Sequence, residues 1–465
     1  MTQMITVHSM ALGRSKFKAV IATAMLLFCA PVLAAIPIQH WTQPSGAKVY
    51  LVESPSIPMV DVRVDFDAGG RREPAEKAGL ASITASMAGK GIAASRGSAN
   101  SAAAYANAMD ENQLGEAWAD LGAGFSASAG ADRMSVSLRS LTEPDLLGKS
   151  VQLAARQLGE PAFAQDVWQR ERQRYAASLR ESNTRPGTIA GRAYSQAVYG
   201  SHPYGHETTE ATLERISVED MAQFYRLLAP CRAKVSIVGA VTRAQADALV
   251  TQLLSRLPGA QGGCAPLPPV AEVVPLAAPL VREIPFASAQ AHVFVGQPGY
   301  KRSDPDYFAL LLGNYVLGGG GFSSRLSQEV REKRGLSYSV SSHFSPGLHA
   351  GAFTVGLQTR PDQAAQSVRV VREVLARFVE EGPTPAELKA AKDNLIGGFP
   401  LLIDSNRKLL DIITSIAWNN LPLDYLETWT AQVQRITAAD IKAAFARKLQ
   451  PEKMVTVVVG GAAQQ

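Results

Sequence analysis

The 465-residue chain is predicted to fold as two homologous α+β domains, each a mainly antiparallel sheet covered by helices. Three observations predict it. The chain is long for one domain and ordinary for two, and its 46% hydrophobic content can fill two cores. Residues 216–241 (ISVEDMAQFYRLLAPCRAKVSIVGAV) and 436–462 (ITAADIKAAFARKLQPEKMVTVVVGGA) share one plan. Each opens Ile-Ser or Ile-Thr, runs on as an Asp-containing amphipathic helix, turns at a Pro and ends as a β-branched strand closed by Gly. Finally, strands and helices mix without the strict βαβ alternation of a parallel sheet.

The N-terminus reads as an export signal. Arg14, Lys16 and Lys18 precede an apolar run over residues 19–30, and Val32 and Ala34 take the −3 and −1 positions of a cleavage site. Residues 1–34 are therefore expected to be a signal peptide, which makes the mature protein periplasmic or secreted. The apolar run is too short for a membrane span, and Phe28 ahead of Cys29 argues against a lipid anchor. Those three cations supply most of the formal charge of +5. The near-neutral remainder argues against a nucleic-acid or anionic-membrane partner.

The first domain is expected over residues 36–256. Period-two alternation marks strands at 49–53, 60–67 and 134–138. Helices are expected over 143–159, with Thr142 as cap, and over 165–181. The charged run at 168–174 reads as a solvated helix face. Residues 93–116, rich in Ala, Ser and Asn, read as a surface extension without apolar period. A Pro/Gly-rich linker follows over 257–285. The second domain, 286–465, opens with a strand, turn and helix over 291–312 that echo those over 60–80. Cys231 and Cys264 remain after export, where a disulfide is permitted; two unpaired buried thiols are the alternative.

The stretch over 317–342, LGGGGFSSRLSQEVREKRGLSYSVSS, is the most informative. Its glycines lack the Gly-Lys-Ser/Thr of a phosphate cradle, so they read as a tight loop ahead of a helix over 323–333. The run resembles the second-domain signature of the pitrilysin/insulinase family of zinc peptidases, particularly its two-subunit, mitochondrial-processing-peptidase-like branch. The resemblance extends over nearly the whole mature chain and implies two domains facing each other as a clamshell. It also implies that Arg331 and Tyr338 project into a substrate chamber. A guanidinium can hold a peptide carbonyl or carboxylate, and a phenol can donate to a developing oxyanion.

In that family the first domain carries an inverted H-x-x-E-H on a helix: two zinc ligands four residues apart with a general base between them. The corresponding helix here keeps the frame Gly79-Leu80-Ala81 and Gly89-Lys90-Gly91. Ser82 and Ser86 stand at the ligand positions and Ala85 at the base, and the later Glu ligand falls at Ser178. Serine hydroxyls are poor zinc ligands and alanine moves no proton. No metal is expected in this chain. His202 and His206 are spaced by four, but Pro203 and Gly205 deny them a helix, and His343 and His349 read as solvated. The resemblance therefore implies a non-catalytic subunit, not catalytic alone. Its partner would be a catalytic subunit of the same family, with zinc in that partner and a peptide as substrate. The alternative is a non-enzymatic peptide-binding or scaffold protein of the same fold.

Overall fold

The structure, a computed structural model, describes residues 36–94, 107–259 and 264–461. The expected signal peptide and part of the Ala/Ser-rich extension lie outside the described residues.

The first half builds a sheet from β1 (Gln39–Thr42), β2 (Lys48–Glu53), β3 (Met59–Phe66), β6 (Gly124–Ala129), β7 (Met134–Leu141) and β8 (Lys234–Gly239). A small ribbon, β4 (Gly91–Ile92) with β5 (Met109–Asp110), lies apart from it. The second half uses β9 (Leu280–Ile284), β10 (Ala291–Tyr300), β11 (Val340–Phe344), β12 (Gly351–Thr359) and β13 (Val455–Val459). Read from one edge, the orders are β6-β7-β3-β8-β2-β1 and β11-β12-β10-β13-β9. The two orders correspond strand for strand, apart from β1. Even the parallel pairs correspond, β2 with β8 and β9 with β13, each joined to the sheet by an antiparallel pairing, β8 with β3 and β13 with β10. The mainly antiparallel, helix-covered fold expected for both halves is what the structure has.

The Ile-Ser/Thr openings of the repeated segments are helix caps. Ser217 Oγ accepts from Asp220 N at 3.2 Å while the Asp220 carboxylate accepts from Ser217 N at 3.0 Å. Thr437 and Asp440 repeat this capping box at 3.1 and 2.8 Å. The amphipathic helices that follow, Val218–Tyr225 and Ala438–Lys448, turn Met221, Phe224, Ile441 and Phe445 inward.

Each half also lends a helix to the other. Helix Pro186–Tyr199 packs on β10 and β13, where Ala190, Tyr194 and Val198 bury against Val455, Val457 and Val459. Tyr194 donates to the Phe353 carbonyl at 2.7 Å. Reciprocally, helix Asn406–Asn419 packs on β3 and β8. Burying each such aliphatic side chain contributes about 1.5–3 kcal/mol, so the exchanged helices bind the halves firmly.

Four expectations are corrected. The 257–285 linker is shorter than expected, because Leu280–Ile284 forms the edge strand β9 paired to β13. The extension ends in a true helix, Glu111–Asp120, capped by Asp110 with Gln113 and burying Leu114 and Trp118. Thr142 caps nothing: the next helix begins at Pro144, whose missing N–H suits a first turn. Past the glycines, the helix expected over 323–333 has a π-helical turn at Ser327–Glu332.

Candidate functional site

The helix that carries the altered motif, Leu80–Met87, starts at Gly79, whose φ of 102° places it in the left-handed region. A side chain there would also meet Thr208 Oγ1 at 2.6 Å, so the family frame at Gly79 has a local reason. The Glu73 carboxylate accepts from the Gly79 and Ala81 N–H groups, each at 2.7 Å, satisfying two donors of the first turn. Leu80, Ala81, Ile83, Ala85 and Met87 face the core. The 3.6-residue period leaves Ser82 exposed and Ser86 half-buried one turn on.

Ser86 and Ser178, 92 positions apart in sequence, line the same cleft of about 570 Å³ with Lys90, Glu171, Arg174 and Tyr175. Ser178 comes from helix Gln165–Ser182. Ser82 is not in that lining; its hydroxyl reaches the Ala129 carbonyl at the end of β6, at 3.4 Å. Ala85 is buried.

The charge in this cleft is organised around Glu171. Its buried carboxylate lies 3.0 Å from Arg174, 3.4 Å from Arg170 and 3.7 Å from Lys90. Burial pushes the Glu171 pKa up, but Lys90 and the two guanidiniums outweigh it and hold the carboxyl below its usual range. Lys90 also binds Glu111 at 2.5 Å. Two neutral hydroxyls and a methyl, beside a carboxylate already committed to three cations, do not fit zinc. Among the described residues, no group of three His, Cys, Asp or Glu side chains could hold a metal ion.

Arg331 and Tyr338 belong to the second half. The glycine run opens with a π-helical turn, Tyr315–Gly319, and Gly318 packs so closely on Ser342 and Leu326 that no side chain fits. Arg331 lies in the last residues of the next π-helical turn, Ser327–Glu332, beside buried Val330. Its guanidinium lies 4.4 Å above the Phe322 ring and 3.4 Å from Glu332. Tyr338 is 86% exposed. Both residues line one cleft of about 450 Å³ with Gln290, Gln358 and Arg360. This cleft shares no lining residue with the one holding Ser86 and Ser178.

The histidines fall differently from expectation. His202 and His206 flank the short helix Pro203–Gly205, and the buried His202 Nδ1 accepts from Tyr204 N at 3.1 Å. His349 is not solvated: it is buried, its Nδ1 lies 2.9 Å from Glu272, and its ring packs edge-on against His202. Burial, with His349 alongside, lowers the His202 pKa. His343 lies in β11 rather than in a turn, and is exposed as expected. Sequence reading missed the network these residues join. Tyr204 donates to Asp132 at 2.5 Å, Asp132 also binds Arg71 at 3.1 Å and the Leu348 N–H at 3.0 Å, and Glu272 binds Lys301 at 2.9 Å. It ties both halves to the segment between them, and no sequence spacing signals it. The same segment is fixed by a disulfide between Cys231 and Cys264, with Cα atoms 5.7 Å apart.

Comparison with known proteins places these features. Residues 215–395 match the family model described as the peptidase M16 inactive domain. A crystal structure described as the peptidase M16 inactive domain from Pseudomonas fluorescens aligns with a TM-score of 0.83 at 33% identity, covering 92% of this chain and 99% of that one. The chain belongs to peptidase family M16. Within that pitrilysin-type family it is a member without the inverted H-x-x-E-H motif, with Ser82, Ala85 and Ser86 in its place. This M16 chain is 30% identical over 265 residues to an uncharacterized zinc protease of Streptomyces coelicolor, covering 56% of this chain and 57% of that protein. It therefore spans little more than half of that relative's length. It is also 24% identical over 408 residues to a non-peptidase homolog of Helicobacter pylori, covering 85% and 88%.

Proposed function

We propose that this chain is the non-catalytic subunit of a periplasmic, heterodimeric zinc peptidase. One observation carries the reading. The motif helix keeps its glycine frame and packing while Ser82, Ala85, Ser86 and Ser178 occupy the ligand and base positions, and yet Arg331 and Tyr338 still line an open cleft. A partner of the same family with an intact H-x-x-E-H would hold the zinc. In this chain, Arg331 would clamp a backbone carbonyl or carboxylate of the peptide by paired hydrogen bonds. The exposed Tyr338 phenol would donate to the oxygen that gains charge in the transition state. The export signal and the Cys231–Cys264 disulfide support an oxidising compartment.

The test is reconstitution with an H-x-x-E-H chain encoded beside it, following turnover of a fluorogenic peptide. Arg331→Ala and Tyr338→Phe should each lower kcat by roughly 10²–10³-fold, the usual loss for one transition-state donor. Unchanged turnover in both variants would favour the second reading, a non-enzymatic peptide-binding scaffold of the same fold.

A further inference from the structure

The correspondence between the halves fails at the outer edge of the two sheets, beyond β2 and β9. In the first half, β2 is covered twice. β1 pairs along its outer edge, and helix Arg243–Leu254 packs over it and against helix Pro144–Gly159. That helix buries Ala246, Leu249, Val250, Leu253 and Leu254, and β2 is accordingly buried over its four central residues. In the second half β9 takes the place of β2, and helix Ala364–Glu381, which follows β12, takes the place of Pro144–Gly159, which follows β7. Among the described residues nothing takes the place of Arg243–Leu254. A groove of about 920 Å³ lies there instead. Four of the five β9 residues are exposed, Val281 at 57%.

The lining of the groove is that of a helix seat. Val281, Val458, Val368 and Ala365 give it an apolar floor, and Ala364, Val368, Arg372 and Ala376 recur at the four-residue spacing of a packing ridge. Its charges are unspent. Arg369 forms no ion pair among the described residues, and Arg372 donates only to Thr456 Oγ1, at 2.9 Å, leaving its buried Nε without a partner. Glu283 and Glu373 line the same groove, also without ion pairs among the described residues.

We infer that the groove between β9 and helix Ala364–Glu381 binds an amphipathic helix of a second polypeptide, about three turns long. Its aliphatic stripe lies on Val281, Val368 and Val458, and its polar flanks carry both signs of charge, with a carboxylate opposite Arg369 and Arg372. This goes beyond the proposed subunit role and does not depend on it, since neither Arg331 nor Tyr338 lines the groove.

The first half supplies the probe. A fluorescein-labelled peptide with the sequence of residues 242–256 carries the aliphatic stripe and both charges, and its binding to the full mature chain is followed by anisotropy. Saturable binding is expected. It should weaken at least about tenfold when Ala365→Trp fills the groove or Arg369→Glu reverses the rim charge, with the melting temperature of both variants unchanged. A peptide carrying L249E and L253E should not bind. The inference is overturned if the native peptide does not bind saturably, or if both chain variants bind it as wild type does. It is equally overturned if the wild-type chain self-associates through this groove, shown by an oligomer that Ala365→Trp dissolves.

Discussion

Two carboxylates near the candidate sites, Glu171 and Glu387, are held by guanidiniums, and the second sets a pH dependence that can be tested. Glu387 accepts two 2.8 Å bonds from Arg325, close to the Arg331 helix, and closes the capping box of helix Pro385–Gly398 with Thr384. Burial acts to raise its pKa, but Arg325 and the Thr384 N–H outweigh it and bring it from 4.5 to about 2. The folded state therefore binds the proton less tightly than the unfolded chain. The stabilisation is fully present above about pH 4.5 and is lost as pH falls toward about 2. Glu387→Gln should cost about 1–2 kcal/mol at pH 7, discounted for partial exposure. Urea unfolding should show a smaller difference from wild type at pH 3, and an undiminished difference there would refute the assignment. At the same scale, the altered motif was readable because Ser82, Ala85 and Ser86 sit within one frame of glycines. Ser178 was placed only through family resemblance, since no local pattern joins it to Ser86. His349 was misread because its cover, Glu272, is 77 positions away in sequence.

Between elements, Lys234 of β8 links the halves through three hydrogen bonds. Its ammonium donates to the carbonyls of Ala417 and Trp418 and to Asn420 Oδ1, each at 2.9 Å, at the C-terminus of helix Asn406–Asn419. These are carbonyls of the last turn, where Ala417 accepts only a long 3.4 Å bond from the Asn420 N–H, and a cation there also meets the favourable end of the helix dipole. Lys234→Met keeps the aliphatic stem and removes the charge and the three donors. It should destabilise the chain by about 1–3 kcal/mol in chemical unfolding, and a change below measurement error would show that the Lys234 contacts do not help hold the exchanged helix. Strands such as β3 and β7 were legible because apolar and polar residues alternate along their sequence. β9 was not, because the prolines around it mask a five-residue strand that buries little. Helix Glu111–Asp120 had a readable signal in the Asp110 and Gln113 spacing, obscured by the Ala- and Ser-rich sequence before it.

For the whole molecule, the duplication was legible from the two capped helix-turn-strand segments, and the matching sheet orders bear it out. The exchange of helices Pro186–Tyr199 and Asn406–Asn419 was not, because amphipathic periodicity shows that a helix buries a face without showing whose sheet covers it. The exchange ties the halves together, and of the altered positions only Ala85 belongs to the first half's core, where its methyl packs as an apolar residue should, so loss of the metal ligands need not loosen that half. The same body explains how a peptidase fold persists with Ser86 and Ser178 where ligands would stand. The most direct test of this account is the zinc content of the mature chain, purified alone and dialysed against a weak chelator, by elemental analysis. The account predicts a zinc-to-protein ratio near zero. A ratio near one that survives dialysis would contradict it and would send mutagenesis first to His202, His206 and Glu207.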